Sequence, residues 1–202
     1  MRLRDFAVVV LGALLAGCND SESSRLNNPN TPYLAATGSA DNAPPGTSGY
    51  DPISYWDGDG VPGAPSVAIH LSEERAYFYK GDQLVGVSQI STGREGYDTP
   101  PGNYKIIQKD LNHASSLYGD YVDGAGNIIK KDVELGKDPK PPGAIFKGAP
   151  MPYFMRITGG VGMHEGYLPG YPASHGCIRM PGKMAQIYFS NVALGTPVAV
   201  YR

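Results

Sequence analysis

Cysteine is nearly absent from this 202-residue sequence: Cys18 and Cys177 are the only two, so no disulfide framework can hold the fold together. Charge is sparse as well. Lys and Arg number 17 against 19 Asp and Glu, a formal net charge of −2, which excludes nucleic-acid binding driven by bulk positive charge. There is no internal repeat. With 27 Gly and 18 Pro the chain is too rich in turn formers for a coiled coil or a helix bundle. Its one long apolar run, Phe6 to Leu15, is too short to span a bilayer.

That run does fit an export signal, because Arg2 and Arg4 precede it and Leu15-Ala16-Gly17-Cys18 closes it. A small-residue site ending in Cys directly after a signal core resembles the lipobox of bacterial lipoproteins. The resemblance implies cleavage after residue 17 and lipidation of Cys18, hence a lipoprotein of the cell envelope, anchored to a membrane on its periplasmic side. An ordinary secretory signal with an incidental Cys is the alternative, and it exports the protein equally.

Residues 18–65 read as a tether. The 47 positions from Asn19 to Pro65 carry six acids, one base and many Ser, Asn, Gly and Pro, with too little apolar surface to offset chain entropy. As a coil this length spans roughly 40 Å. Tyr50 to Trp56 is the stretch that can dock, and Trp56 is expected to touch the folded domain. From Ser66 to residue 202 short β-rich runs alternate with turns, and the expectation is a mainly β domain with α+β content. Strands are expected at Ser66–Leu71, Arg75–Tyr79, Leu84–Ser91, Gly102–Gln108 and Tyr153–Thr158, another from Gly159 to His164, and a last one at Thr196–Tyr201. Met184, Ile187, Tyr188 and Val192 after Pro181 predict an amphipathic helix. The segment Asp110–Ala149 shows no period and reads as loop, with one hairpin around Asp123–Asn127.

Chemistry concentrates at Gly162-Met163-His164-Glu165-Gly166 and Ser174-His175-Gly176-Cys177-Ile178-Arg179-Met180. With Cys18 acylated, Cys177 is the one thiol left, and an unpaired thiol in an oxidising compartment is a liability unless it is used. A thiol attacks carbonyl carbon as the thiolate, which calls for a nearby base and a lowered pKa. His164 and His175 both qualify as that base. In an extended segment His175 points to the same side as Cys177, and Gly176 between them lets main-chain N–H groups approach an oxyanion. A second reading has His164, His175 and Cys177 as Zn²⁺ ligands, but no HExxH motif or second Cys accompanies them, so no metal or other cofactor is expected.

Ser174–Met180 with His164 upstream resembles the active-site motif of the L,D-transpeptidase (YkuD-type) family. Thr92-Gly93, Thr99-Pro100-Pro101-Gly102-Asn103-Tyr104 and Gly195-Thr196-Pro197-Val198 extend the likeness over about residues 66–201. The resemblance implies a β-sandwich-like fold of mixed sheets with a short helix after the motif. It implies Cys177 as nucleophile and His164 as base, the latter oriented by the main-chain carbonyl of Glu165. His175, Gly176 and Cys177 would shape the oxyanion site, while Ser174 and Arg179 would serve substrate binding. The implied substrates are peptidoglycan stem peptides, cross-linked to one another or to a lipoprotein lysine. Here the interval from His164 to Ser174 is short, Glu165 stands where many members have Gly, and Tyr167–Pro172 reads as a pocket wall in which Tyr171 contacts substrate.

Overall fold

A computed structural model describes residues 51 and 53–202, and in these just over half of the chain's fold is strand. The signal, Cys18 and most of the tether lie outside the described residues. Eleven strands and one helix follow in order: β1 (Tyr55–Trp56), β2 (Pro65–His70), β3 (Arg75–Lys80), β4 (Gln83–Gln89), β5 (Gly102–Lys105), β6 (Gln108–Val122), β7 (Ile128–Glu134), β8 (Ile145–Thr158), β9 (Val161–Glu165), β10 (Ile178–Met180), α1 (Gly182–Asn191) and β11 (Pro197–Tyr201). One sheet has the order β1-β4-β3-β2-β11-β5 and the other β10-β9-β8-β6-β7. Each is mixed, since β11 runs parallel to β2 and β10 parallel to β9.

Alternation builds the core. Val67 and Ile69, Ala76 and Phe78, and Val198 and Val200 point inward from the first sheet, meeting Met155, Ile157, Met163, Ile178 and Met180 from the second. The helix lays Met184, Ala185 and Tyr188 onto the same core, and the buried Tyr188 hydroxyl donates to the Ala76 carbonyl at 2.8 Å. The expected strands and helix are all present; most strand ends shift by one to three residues, while the strand expected at Tyr153–Thr158 begins eight residues earlier, at Ile145.

Two expectations need correction. The first is the loop assigned to Asp110–Ala149, which is instead a ladder of β6, β7 and β8, with strands of 15, 7 and 14 residues. Its outer half carries only a small core of Tyr121, Val133 and Ala144, and Leu111, Leu117, Ile128, Ile129 and Ile145 remain exposed. With solvent on so much of both faces, the period-2 signal is lost. A register shift between Ala114 and Gly119 bends β6, and the backbones come so close that a Cβ at Gly119 would lie 2.1 Å from the Lys147 carbonyl oxygen. The turn at Asp123–Asn127 is the expected hairpin, closed by Asp123 Oδ1 accepting from Ala125 N and Asn127 N.

The second is the domain boundary at residue 66. The fold begins earlier, because β1 pairs with β4 and Trp56 packs edge-on against Phe78 with ring centroids 5.1 Å apart. Trp56 Nε1 donates to Asp59 at 2.8 Å. A pair of residues is too short for a strand signal, and packing by one large aromatic supplies what the local sequence does not.

Candidate active site

Two parallel strands position the chemistry. In the β9–β10 register Met163 lies beside Ile178 and His164 beside Arg179, so Cys177, one residue earlier, stands beside Gly162. Alternation then splits the side chains: Met163, Ile178 and Met180 enter the core, while His164, Cys177 and Arg179 face the opposite way into a cleft of about 1100 Å³. The cleft runs between the β9–β10 edge and the ladder of β6–β8.

His164 Nδ1 donates to the carbonyl of Glu165 at 2.6 Å, the contact expected from the motif. A carbonyl only accepts, so Nδ1 carries the proton and Nε2 keeps the lone pair. Burial of the ring, with smaller repulsions from Arg179 and His113, lowers its pKa to about 4 despite that bond, and the imidazole is neutral at pH 7. Cys177 is half-buried, with Sγ 3.5 Å from the Gly160 carbonyl oxygen. The lowered thiol pKa expected from sequence is not what the site produces. Burial pushes the thiol up, and the Gly162 N–H with the charges of Arg156 and Arg179 offsets this only in part. The pair therefore rests as neutral thiol and neutral imidazole.

A layer of hydrogen bonds holds the Cys177 loop. Ser174 Oγ donates to the Cys177 carbonyl at 2.5 Å and accepts from Gly176 N at 3.1 Å. Gly176 sits at φ +106°, open to glycine and strained for other residues. Thr99 Oγ1 accepts from Gly93 N and donates to the Gly176 carbonyl, both at 2.9 Å. Thr92 in turn receives Ala173 N and Ser174 N on its carbonyl, and its own N–H and hydroxyl reach the half-buried Glu74 carboxylate. At Gly93 a Cβ would lie 2.0 Å from the Tyr97 carbonyl oxygen, which is why this strap needs glycine. Thr92-Gly93 and Thr99 are thus struts beneath the thiol loop, a role the linear motif does not reveal.

His175 is placed differently from His164. Its Nε2 lies 2.7 Å from Arg94 Nη2, its ring stacks on Tyr118 at 4.2 Å, and Tyr97 meets it edge-on at 4.8 Å. Arginine only donates, so the Nε2 lone pair of His175 is committed to it. The same commitment removes this nitrogen from the alternative zinc set, and among the described residues no group of three or more His, Cys, Asp or Glu side chains is arranged to hold a metal. Sequence reasoning does not find these partners: Tyr118 arrives from the ladder, which shows no period, and Arg94 and Tyr97 come from the turn after Gly93.

Arg179 lines the cleft with its stem against Gly166. Tyr171 does not line it. Its side chain is 57% exposed, because Gly170 at φ +92° turns the chain and Ser91 Oγ holds the Tyr171 carbonyl at 2.8 Å. Within the expected wall Tyr167 takes that place and Leu168 is buried.

A model of the L,D-transpeptidase catalytic domain (YkuD) matches residues 64–200. No curated protein matches the sequence. The solved L,D-transpeptidase from Mycobacterium smegmatis is similar with a TM-score of 0.51 at 18% identity, covering 69% of this chain and 59% of that one. The L,D-transpeptidase from Xylanimonas cellulosilytica gives 0.51 at 20% identity, covering 75% and 65%. A mutant of the Enterococcus faecium L,D-transpeptidase gives 0.50 at 22%, covering 69% and 50%. The chain spans 50–65% of these proteins' lengths, and at such identity the likeness is one of fold. The family match covers the strap, the struts and the Ser174–Met180 segment alike, and the chain belongs to the L,D-transpeptidase catalytic-domain (YkuD) family.

Proposed function

We propose that the protein is a cysteine acyltransferase acting on peptidoglycan stem peptides. The observation that carries this reading is that adjacent parallel strands turn His164 and Cys177 into one cleft, with the His164 tautomer fixed by Glu165 so that Nε2 is the proton acceptor. Since both groups rest neutral, proton transfer accompanies attack rather than preceding it. Cys177 Sγ attacks the carbonyl that follows the L-centre of an L,D bond in a tetrapeptide stem. His164 takes the thiol proton and passes it to the leaving amine, so D-alanine departs and a thioester remains. Main-chain N–H groups of the loop, shaped by His175 and Gly176, stabilise the oxyanion, and Ser174 and Arg179 hold loop and substrate.

Three acceptors resolve the thioester: a stem-peptide amine gives a cross-link, a lipoprotein lysine anchors that protein, and water makes the enzyme a carboxypeptidase or hydrolase. Incubation with purified disaccharide tetrapeptide, with and without a lysine-bearing lipoprotein, followed by mass spectrometry of the products, separates them as dimer, conjugate or tripeptide. An unchanged tetrapeptide would favour a non-catalytic peptidoglycan-binding lipoprotein, although binding alone has no need of a thiol beside a tautomer-fixed imidazole. The proposal includes export, lipidation at Cys18 and envelope attachment through the tether, supported by the order of charge, apolar run and Leu15-Ala16-Gly17-Cys18.

A further inference from the structure

His113 has no part in the steps above, yet it lines the same cleft. It lies on β6 opposite Met151 of β8, with its ring stacked on Phe154 at 4.2 Å and 16° between planes. The Phe154 ring is in turn 6.3 Å from that of His164. Phe154 fits there because residue 162 is glycine, where a Cβ would come within 2.6 Å of its ring. The charged and titratable groups around His113 are Asp110 on its own strand, Arg156 of β8, whose guanidinium lies over Phe154 at 4.9 Å, and the neutral His164 of β9. Asp110 accepts from Asn112 N with Oδ1 and meets His113 Nδ1 with Oδ2, each at 3.1 Å. A carboxylate only accepts, so Nδ1 is the nitrogen that carries a proton, and in the neutral ring the lone pair is on Nε2.

We propose that His113, oriented by Asp110, is the proton acceptor for the incoming amine in the second half of the reaction. This rests on the acyl-transfer reading. A primary amine reaches the cleft as ammonium, with a pKa of about 10 and no lone pair with which to attack. One ammonium proton goes to His113 Nε2. The amine nitrogen then forms its bond to the thioester carbonyl, a second proton passes to His164 Nε2, and the C–S bond breaks. His164 returns its proton to the departing sulfur and the His113 imidazolium gives its own to water, so ammonium plus thioester yields amide, thiol and one released proton. His164 alone handles one proton per half-reaction, and the ammonium brings one more.

The test uses the full-length protein and two variants, His113→Gln and Asp110→Asn, with thioester formation and transfer measured separately. Thioester formation is read as the burst of D-alanine from tetrapeptide, and transfer is measured to an alkyl amine and to hydroxylamine, whose pKa lies near 6. The expected result is a wild-type burst, transfer to the alkyl amine slowed about 100-fold at pH 7 and recovering as pH approaches the amine's own pKa, and unchanged transfer to hydroxylamine. Asp110→Asn should give the same pattern with a smaller loss. Equal slowing with both amines, no slowing with either, or loss of the burst itself would overturn the assignment. A wild-type protein that never releases D-alanine would instead overturn the acyl-transfer reading on which it stands.

Discussion

Arg94 Nη2 donates to His175 Nε2 at 2.7 Å, and that bond separates the roles of the two histidines nearest Cys177. Replacing His164 by Ala is expected to lower kcat/KM by about 10²–10⁴-fold, the usual worth of a positioned base. Alkylation of Cys177 by iodoacetamide above pH 9 should survive in that variant, because the thiol's own ionisation supplies the nucleophile there. His175→Phe keeps an aromatic ring against Tyr118 and should reduce activity without altering the pH profile. A pH profile that moves with His175 and not with His164 would reverse the assignment.

Stability should fall in mild acid. His164 titrates at about 4 in the folded chain against 6.5 unfolded, so between these values the unfolded chain binds the extra proton. The contribution is complete above pH 6.5, declines as pH falls towards 4, and amounts to about 3 kcal/mol at most. Urea unfolding of wild type and His164→Gln between pH 7 and 4 checks this. The variant should lose less stability across the window, and parallel curves would refute the burial argument.

Thr99 joins the Gly93 strap to the Cys177 loop through a single hydroxyl. Thr99→Val keeps the shape but leaves a buried N–H and a carbonyl without their partner, at a cost of about 1–3 kcal/mol. Turnover should fall with it while the far-ultraviolet circular dichroism is unchanged. Equal stability and turnover in the Val variant would show that the loop is held elsewhere.

Legibility followed the physics of each segment. Strands with one face in the core, such as Ser66–His70 and Thr196–Tyr201, show their alternation openly, and Cys177 stands in a contiguous motif, while His164 and the Glu165 carbonyl come from the family resemblance. The ladder of β6–β8 is hidden because it exposes Leu111, Ile128 and Ile145, and because β6 pairs with β8 across more than twenty residues of sequence. Everything that the ladder brings to the cleft, Tyr118 against His175 and the Asp110–His113 pair included, was hidden with it. The thiol's raised pKa was equally unreadable, because it depends on how deeply the cleft encloses Sγ rather than on residue types. Tyr171 stands outside the cleft lining for a backbone reason, the turn at Gly170.

Attachment has its own test. Acyl chains contribute about 0.8 kcal/mol per buried CH₂, and several chains on one cysteine hold firmly where one does so marginally. Wild-type protein should therefore fractionate with membranes, and Cys18→Ser should block lipidation while the catalytic domain stays active on soluble muropeptides. A soluble periplasmic wild type, or a mature N-terminus without lipid by mass spectrometry, would refute the lipoprotein proposal and leave the catalytic one standing.

The most direct test of Cys177 as nucleophile is the intact mass of the protein after brief exposure to disaccharide tetrapeptide. Wild type should gain the mass of the donor less one alanine, mapped to Cys177 after proteolysis, with D-alanine released in step. A folded Cys177→Ala variant should show neither. Turnover retained in that variant, or an adduct mapped to any other residue, would contradict the thioester mechanism.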